Sequence, residues 1–134
     1  MTLTADEWFV GAEFEFAVNS QVDGADKIKA LLKTRGETQP MGQPSCGSVF
    51  KNPSADHAGR LIEEAGLKGH RIGGAVVSTK HANFIINEAD ASADDIERLI
   101  THVRQTVLDQ SGVLLETEVR IVGEHAVKSA EVVS

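Results

Sequence analysis

The run from Ser92 to Gly112 constrains the fold more than any other part of this sequence. Ser92-Ala93-Asp94-Asp95 has the spacing of a capping box, with aspartate standing where glutamate or glutamine is usual. Ile96, Leu99, Ile100, Val103 and Val107 then fall on one face of a helix that Ser111-Gly112 closes. A helix with one apolar face needs a second layer to pack on. Two runs rich in branched residues, 75–77 and 82–86, read as strands joined by the polar turn 78–81, and they can supply it.

The remaining elements are shorter. Residues 12–17 alternate apolar and charged, as a strand with one wet face would. Residues 26–35 place Ile28, Leu31 and Leu32 at helical spacing, and Gly36 is positioned to end that helix. Residues 37–47 are polar and carry Pro40 and Pro44, so they read as an extended or looping connection. Residues 48–51 predict a short strand stopped by Pro53. A helix starting near residues 54–56 follows, with Ala58, Leu61, Ile62 and Ala65 inside and Gly66 as its cap. Residues 113–122 read as a long final strand, and 124–134 as a tail without pattern. Strands and helices mix without strict βαβ alternation. The expected fold is therefore α+β: a single domain with a mixed or antiparallel sheet and about three helices. A length of 134 residues is enough for one core.

Composition narrows the functional classes. A net charge of −7 argues against a nucleic-acid surface, and it means an anionic ligand must meet locally placed donors. The one dense basic stretch, from Lys27 to Arg35, alternates with leucines and reads as a solvated helix face. No apolar run is long enough to cross a membrane, and no signal peptide follows Met1. Cys46 is the only cysteine, so there is no internal disulfide, which fits a reducing, cytoplasmic compartment.

Chemistry concentrates in one stretch. Gln43-Pro44-Ser45-Cys46-Gly47-Ser48-Val49-Phe50-Lys51-Asn52-Pro53 sets a hydroxyl, a thiol, an ammonium and a carboxamide on a glycine-hinged segment. Gly47 lets the backbone at Ser48 approach a ligand, although a loop serine is ordinarily solvated or capping. Asn52 offers a donor and an acceptor but equally suits a turn before proline, and Lys51 is a point charge suited to phosphate or carboxylate. Glu116 and Glu118 share one side of a strand, with Leu115, Thr117 and Val119 on the other, as a solvent-facing stripe also would. His81 sits in a polar turn, where a histidine is most often structural. Residues 69–74 could nest an anion, but their glycines fit a turn or close packing better. Residues 87–95 are acidic without the central glycine of a calcium loop, and Cys46 has no partner at zinc-site spacing. A hydrolase pairing Ser48 or Cys46 with a histidine stays open in principle, although there is no Gly-x-Ser-x-Gly elbow and nothing ties His57 or His81 to either nucleophile.

Four segments, taken in order, resemble one known family: Gln43 to Pro53, Gly66 to Ala75, Ser78 to Asn87, and Leu114 to Arg120. They look like the C-terminal domain of UDP-N-acetylenolpyruvoylglucosamine reductases, a match running from about Trp8 to Gly123. The resemblance implies an oxidoreductase of peptidoglycan precursor synthesis acting on UDP-N-acetylglucosamine enolpyruvate to give UDP-N-acetylmuramate. In that family NADPH reduces bound FAD, hydride passes to C3 of the enolpyruvyl group, and the carbanion-like C2 takes a proton. By the same resemblance Ser48 is the proton donor and Glu118, immediately before Val-Arg, is catalytic. Glu116 matches the family pattern without a part in the chemistry. Asn52 and His81 would contact substrate, and Lys51 joins them as a substrate-binding candidate. The Lys-His-Ala-Asn form, in a chain with no tyrosine, resembles the subgroup lacking a substrate-covering tyrosine loop.

The family's flavin-binding part lies N-terminal to this region, and residues 1–18 read as its last strand region. The chain has no glycine-rich flavin-phosphate loop and no Gly-Tyr-Arg motif. The expectation is a substrate-binding domain, inactive alone, completed by a separately supplied flavin-binding domain. Its uncovered apolar surface would favour self-association. A stand-alone sugar-nucleotide-binding module and an inactive truncated fragment are the alternatives.

Overall fold

The structure, a computed structural model, describes residues 8–15 and 24–123. It divides into two units, residues 1–34 and 35–134. The first contributes residues 8–15, which carry no strand, and most of α1 (Gly24–Thr38), none of whose residues is buried. The rest of the strand expected over 12–17 and the tail 124–134 lie outside the described residues. The second unit holds a four-stranded antiparallel sheet and two further helices, so the expected α+β architecture is met.

The sheet runs β1 (Ser45–Ser48), β4 (Phe84–Asn87), β3 (Ala75–Val77), β2 (Arg71–Ile72) in spatial order. Its two middle strands are buried on both faces. Ala75, Val77 and Ile85 join the main core with Leu61 and Ile62 of α2 (Ala58–Glu64) and Leu99, Val103 and Val107 of α3 (Ala93–Ser111). Val76, Phe84 and Ile86 alternate with them and form a second cluster on the opposite face. Double burial is why these strands read as continuous apolar runs rather than as alternation.

The capping box of α3 is present: Asp95 N–H donates to the Ser92 hydroxyl at 3.1 Å, and Ser92 N–H donates to the Asp95 carboxylate at 3.0 Å. Those bonds, the Ser92 N–H first among them, hold Asp95 below its ordinary range. The β2–β3 hairpin packs beside this cap. A Cβ on Gly73 (φ +53°) would sit 2.3 Å from the Asp95 carboxyl, and one on Gly74 would sit 2.4 Å from the Ala89 carbonyl. Gly73 and Gly74 thus form a close-packed turn between β2 and β3.

Several boundaries differ from the sequence reading. α1 continues through Gly36 to Thr38 because Gly36 stays helical, and Pro40 follows. α2 starts at Ala58 rather than at 54–56, because the Asn52 side chain accepts the Ala58 N–H and the intervening residues turn. β1 lies at Ser45–Ser48 rather than 48–51. Its pairing with β4 slips by one residue between Ser45↔Ile86 and Ser48↔Phe84, and Gly47 (φ +83°) supplies the left-handed residue of that bulge. Residues 113–122 make no strand, only the single antiparallel bridge Phe50↔Thr117.

Candidate functional site

Residues 49–51 carry the site because they are held from both edges. On one edge Val49 N–H donates to the Asn83 carbonyl at 2.9 Å. On the other, Glu118 N–H donates to the Val49 carbonyl at 2.8 Å and Lys51 N–H to the Glu116 carbonyl at 2.9 Å. Val49 thus bonds to both edges, through its N–H on one and its carbonyl on the other. Ser48 precedes this strip at the end of β1 and is half-buried, while Val49 and Phe50 behind it are core. The bulge at Gly47 turns Ser48 away from strict alternation.

A cleft of about 260 Å³ opens beside the strip, lined by Ser48, Asn52, His57, Arg60, His81 and Glu118 together with Phe50, Gly59 and Asn83. Four of the five side chains proposed from sequence therefore share one cavity. Lys51 does not line it; its ammonium pairs with Glu116 on the exposed surface. The two carboxylates of 116–118 thus part company, Glu116 to Lys51 and Glu118 to the cleft. Leu115 is buried on the other side, so the alternation read in this segment is real although the strand is not.

Each cleft residue has a local anchor. The turn before His81 is tied by the buried Ser78 hydroxyl, which accepts from Lys80 N–H at 3.1 Å and His81 N–H at 3.3 Å. The His81 ring stands edge-on to Phe84 at 4.9 Å, and its Nδ1 accepts the Asn83 N–H at 3.3 Å. In the neutral ring the proton is then on Nε2, so His81 acts as a donor. Gly59 makes room for it, since a Cβ there would lie 3.3 Å from the His81 Cε1. Asn52 spends its Oδ1 on the Ala58 N–H at 3.0 Å, which leaves Nδ2 as its ligand-facing group. Both readings of Asn52, turn residue and donor, are compatible in this geometry.

Arg60 was not singled out from sequence, although its i+4 spacing from Asp56 was a signal. Its guanidinium grips Asp56 through Nε at 2.6 Å and through Nη2, and reaches Glu64 through Nη1. Arg60 holds the Asp56 carboxyl down at about 2, helped by the His57 N–H. The guanidinium is therefore largely neutralised. The cleft offers hydrogen-bond donors (Ser48, Asn52, His81) and one exposed carboxylate (Glu118) rather than a net positive charge. Such a set suits an oxygen-rich ligand with a group that can be protonated.

Cys46 lines a separate, largely apolar groove with Ile96, Ile100 and Val119. The residue as a whole is exposed, yet desolvation of the thiol raises its pKa, which makes it a poor nucleophile at neutral pH. Among the described residues no three His, Cys, Asp or Glu side chains converge as a metal site would need, and no helix is long and apolar enough to cross a membrane.

Residues 39–122 match the family model described as UDP-N-acetylenolpyruvoylglucosamine reductase, C-terminal domain. A UDP-N-acetylenolpyruvoylglucosamine reductase of Methylococcus capsulatus is 62% identical over 118 residues, covering 88% of this chain and 39% of the relative. That of Thiobacillus denitrificans is 54% identical, covering 89% of this chain and 37% of the relative. The crystal structure of the enzyme from Thermus caldophilus superposes with a TM-score of 0.59 at 38% identity, over 69% of this chain and 32% of that one. The chain thus spans well under half the length of the proteins it matches.

Proposed function

The chain belongs to the family of UDP-N-acetylenolpyruvoylglucosamine reductase C-terminal domains, and on that premise we propose that its cleft binds UDP-N-acetylglucosamine enolpyruvate and delivers a proton to it. The observation that carries this reading is the meeting of Ser48, Asn52, His81 and Glu118, from three distant stretches of sequence, around one cavity.

The chemistry follows from the donors. Ser48 is a neutral hydroxyl, so it can lie beside the substrate carboxylate without adding a second negative charge. It becomes a useful acid only when the C2 carbon turns strongly basic, as it does once hydride has reached C3. Nδ2 of Asn52 and Nε2 of His81 hold oxygens of the substrate in register. Glu118 supports the enolpyruvyl group. It is exposed in this structure and is covered when substrate and the rest of the enzyme close over the cleft.

The family reaction uses FAD and NADPH. The cleft's lining presents Ser48, Asn52, His81 and Glu118 and no glycine-rich phosphate cradle for either dinucleotide, so this chain's part is binding and proton delivery. Relatives carry more than half their length beyond the matched region. We assign the flavin-binding part of such an enzyme as the partner that docks on the exposed apolar side chains Trp8, Phe9, Val10 and Phe14. Self-association through the same residues is the competing outcome. The setting is the cytoplasm, where nucleotide-linked precursors of peptidoglycan are made.

Calorimetric titration of the chain with UDP-N-acetylglucosamine enolpyruvate, without flavin, tests the reading. Saturable binding weakened by His81→Ala supports it. No binding by the folded chain rules out a preformed substrate site.

A further inference from the structure

The site contains one buried polar side chain, that of Asn83, to which neither the resemblance nor the cleft chemistry gives a role, although it closes the Lys-His-Ala-Asn form. Asn83 is 4% exposed, and its backbone and side-chain polar groups are all engaged. Its Oδ1 accepts the Phe50 N–H at 2.9 Å and its Nδ2 donates to the Phe50 carbonyl at 2.8 Å. Its own carbonyl accepts the Val49 N–H, and its own N–H donates to Nδ1 of His81.

The pattern has a structural reason. β4 begins at Phe84, so beyond Ser48 the strip 49–51 has lost its regular neighbour on that edge. A backbone residue there would have offered Phe50 one acceptor and one donor. The carboxamide offers the same pair in the same plane, so a side chain stands in for a strand. Held this way, the strip keeps its other edge free to bind Glu116 and Glu118. A buried N–H or C=O without a partner is costly, so Phe50 would otherwise twist to find one.

We infer that Asn83 is a positioning residue: its carboxamide fixes the 48–50 segment, and so the placement of Ser48 relative to His81 and Glu118. The inference rests on the function proposed above only for the meaning of that placement; the clamp itself is testable without substrate.

Asn83→Asp provides the test, because it keeps shape and volume but exchanges a donor for an acceptor. At pH 7.5 a carboxylate would face the Phe50 carbonyl, whereas a protonated carboxyl would restore the donor. The introduced carboxyl should therefore have a folded-state pKa above its ordinary value of about 3.9. The stability of the variant, relative to the natural protein, is then recovered as pH falls through that raised pKa and lost as pH rises through it. The cleft also holds His57, Arg60, His81 and Glu118, so the natural protein is titrated in parallel and only the difference counts.

Four readouts decide the matter. In the natural protein, NMR should show slow exchange of the Asn83 side-chain amide protons. In the variant at pH 7.5, the Phe50, Glu118 and His81 resonances should shift together, and affinity for UDP-N-acetylglucosamine enolpyruvate should fall on the order of tenfold or more. Lowering the pH should return the resonances toward their natural positions. Free-rate exchange of the side-chain amide, or a variant defect independent of pH, would overturn the inference. If the natural protein binds no substrate but the exchange and pH results hold, the clamp stands and the proposed function falls.

Discussion

Residues 75–87 and residues 113–122 both read as strand-forming in the sequence, and the fold treats them in opposite ways. The first becomes β3 and β4, paired with each other and buried on both faces. The second alternates instead of running apolar, with Leu115 in and Glu116 out, yet it makes one bridge to Phe50 and no strand. The difference is partners. β4 lies between β1 and β3, whereas the second segment has residues 49–51 on one side only. The catalytic candidates sit along this second, lightly bonded segment and its neighbour, while the doubly buried hairpin serves as their footing. Strain or motion is better tolerated at the fringe than in a packed core.

Substitutions can break or sharpen that contrast. The largest effect is expected at the footing: Ile85→Ala should cost about 2–5 kcal/mol in denaturant unfolding. Leu115→Ala should cost as much, because this one residue of the second segment belongs to the core. Thr117→Ala, by comparison, should stay within about 0.5 kcal/mol, since its bridge is made by backbone. A large loss at Thr117 would mean the segment is a true strand and would erase the contrast.

Ser92→Ala comes next, at about 1 kcal/mol from loss of the α3 cap, read as a lower unfolding midpoint. It should leave ligand binding unchanged, because the cap belongs to the footing.

A smaller effect concerns the cleft rim. Asp56 titrates at about 2 instead of its ordinary 3.8 because Arg60 grips it. The stabilising contribution of that pair is present above the ordinary value and lost as pH falls through about 2. Arg60→Gln should move the NMR midpoint of Asp56 back toward 3.8; an unmoved midpoint would show that the pair is not formed in solution. The smallest stability effect is expected for Gly59→Ala. The helix gain of up to about 1 kcal/mol is offset by crowding of the His81 ring, so the unfolding midpoint should barely change while the His81 ring resonances shift.

The elements most readable from sequence were those fixed by local pattern. The cap and stripe of α3 form as the spacing of Ser92, Asp95 and the apolar residues demands. The sheet hairpin was readable too, because a run of branched residues has few other uses. Boundaries governed by distant bonds were not. The start of α2 depends on the Asn52 side chain six residues upstream, and β1 shifts because Gly47 forms a bulge against β4. At the site, family resemblance picked out Ser48, Asn52, His81 and Glu118, which the fold brings to one cleft. Lys51 could not be sorted from its neighbours, because its fate depends on Glu116 lying opposite. Asn83 left no periodic signal, since its role is to replace a strand partner that sequence cannot show to be missing.

The most direct test of a single cleft serving substrate is a nitrogen–proton NMR titration of the chain with UDP-N-acetylglucosamine enolpyruvate. Shifts concentrated at Ser48, Asn52, His81 and Glu118, with residues Gln43, Arg71 and Lys80 of the cleft on the other face of the sheet unmoved, are the predicted result. Shifts centred on Gln43, Arg71 and Lys80 instead would contradict the account.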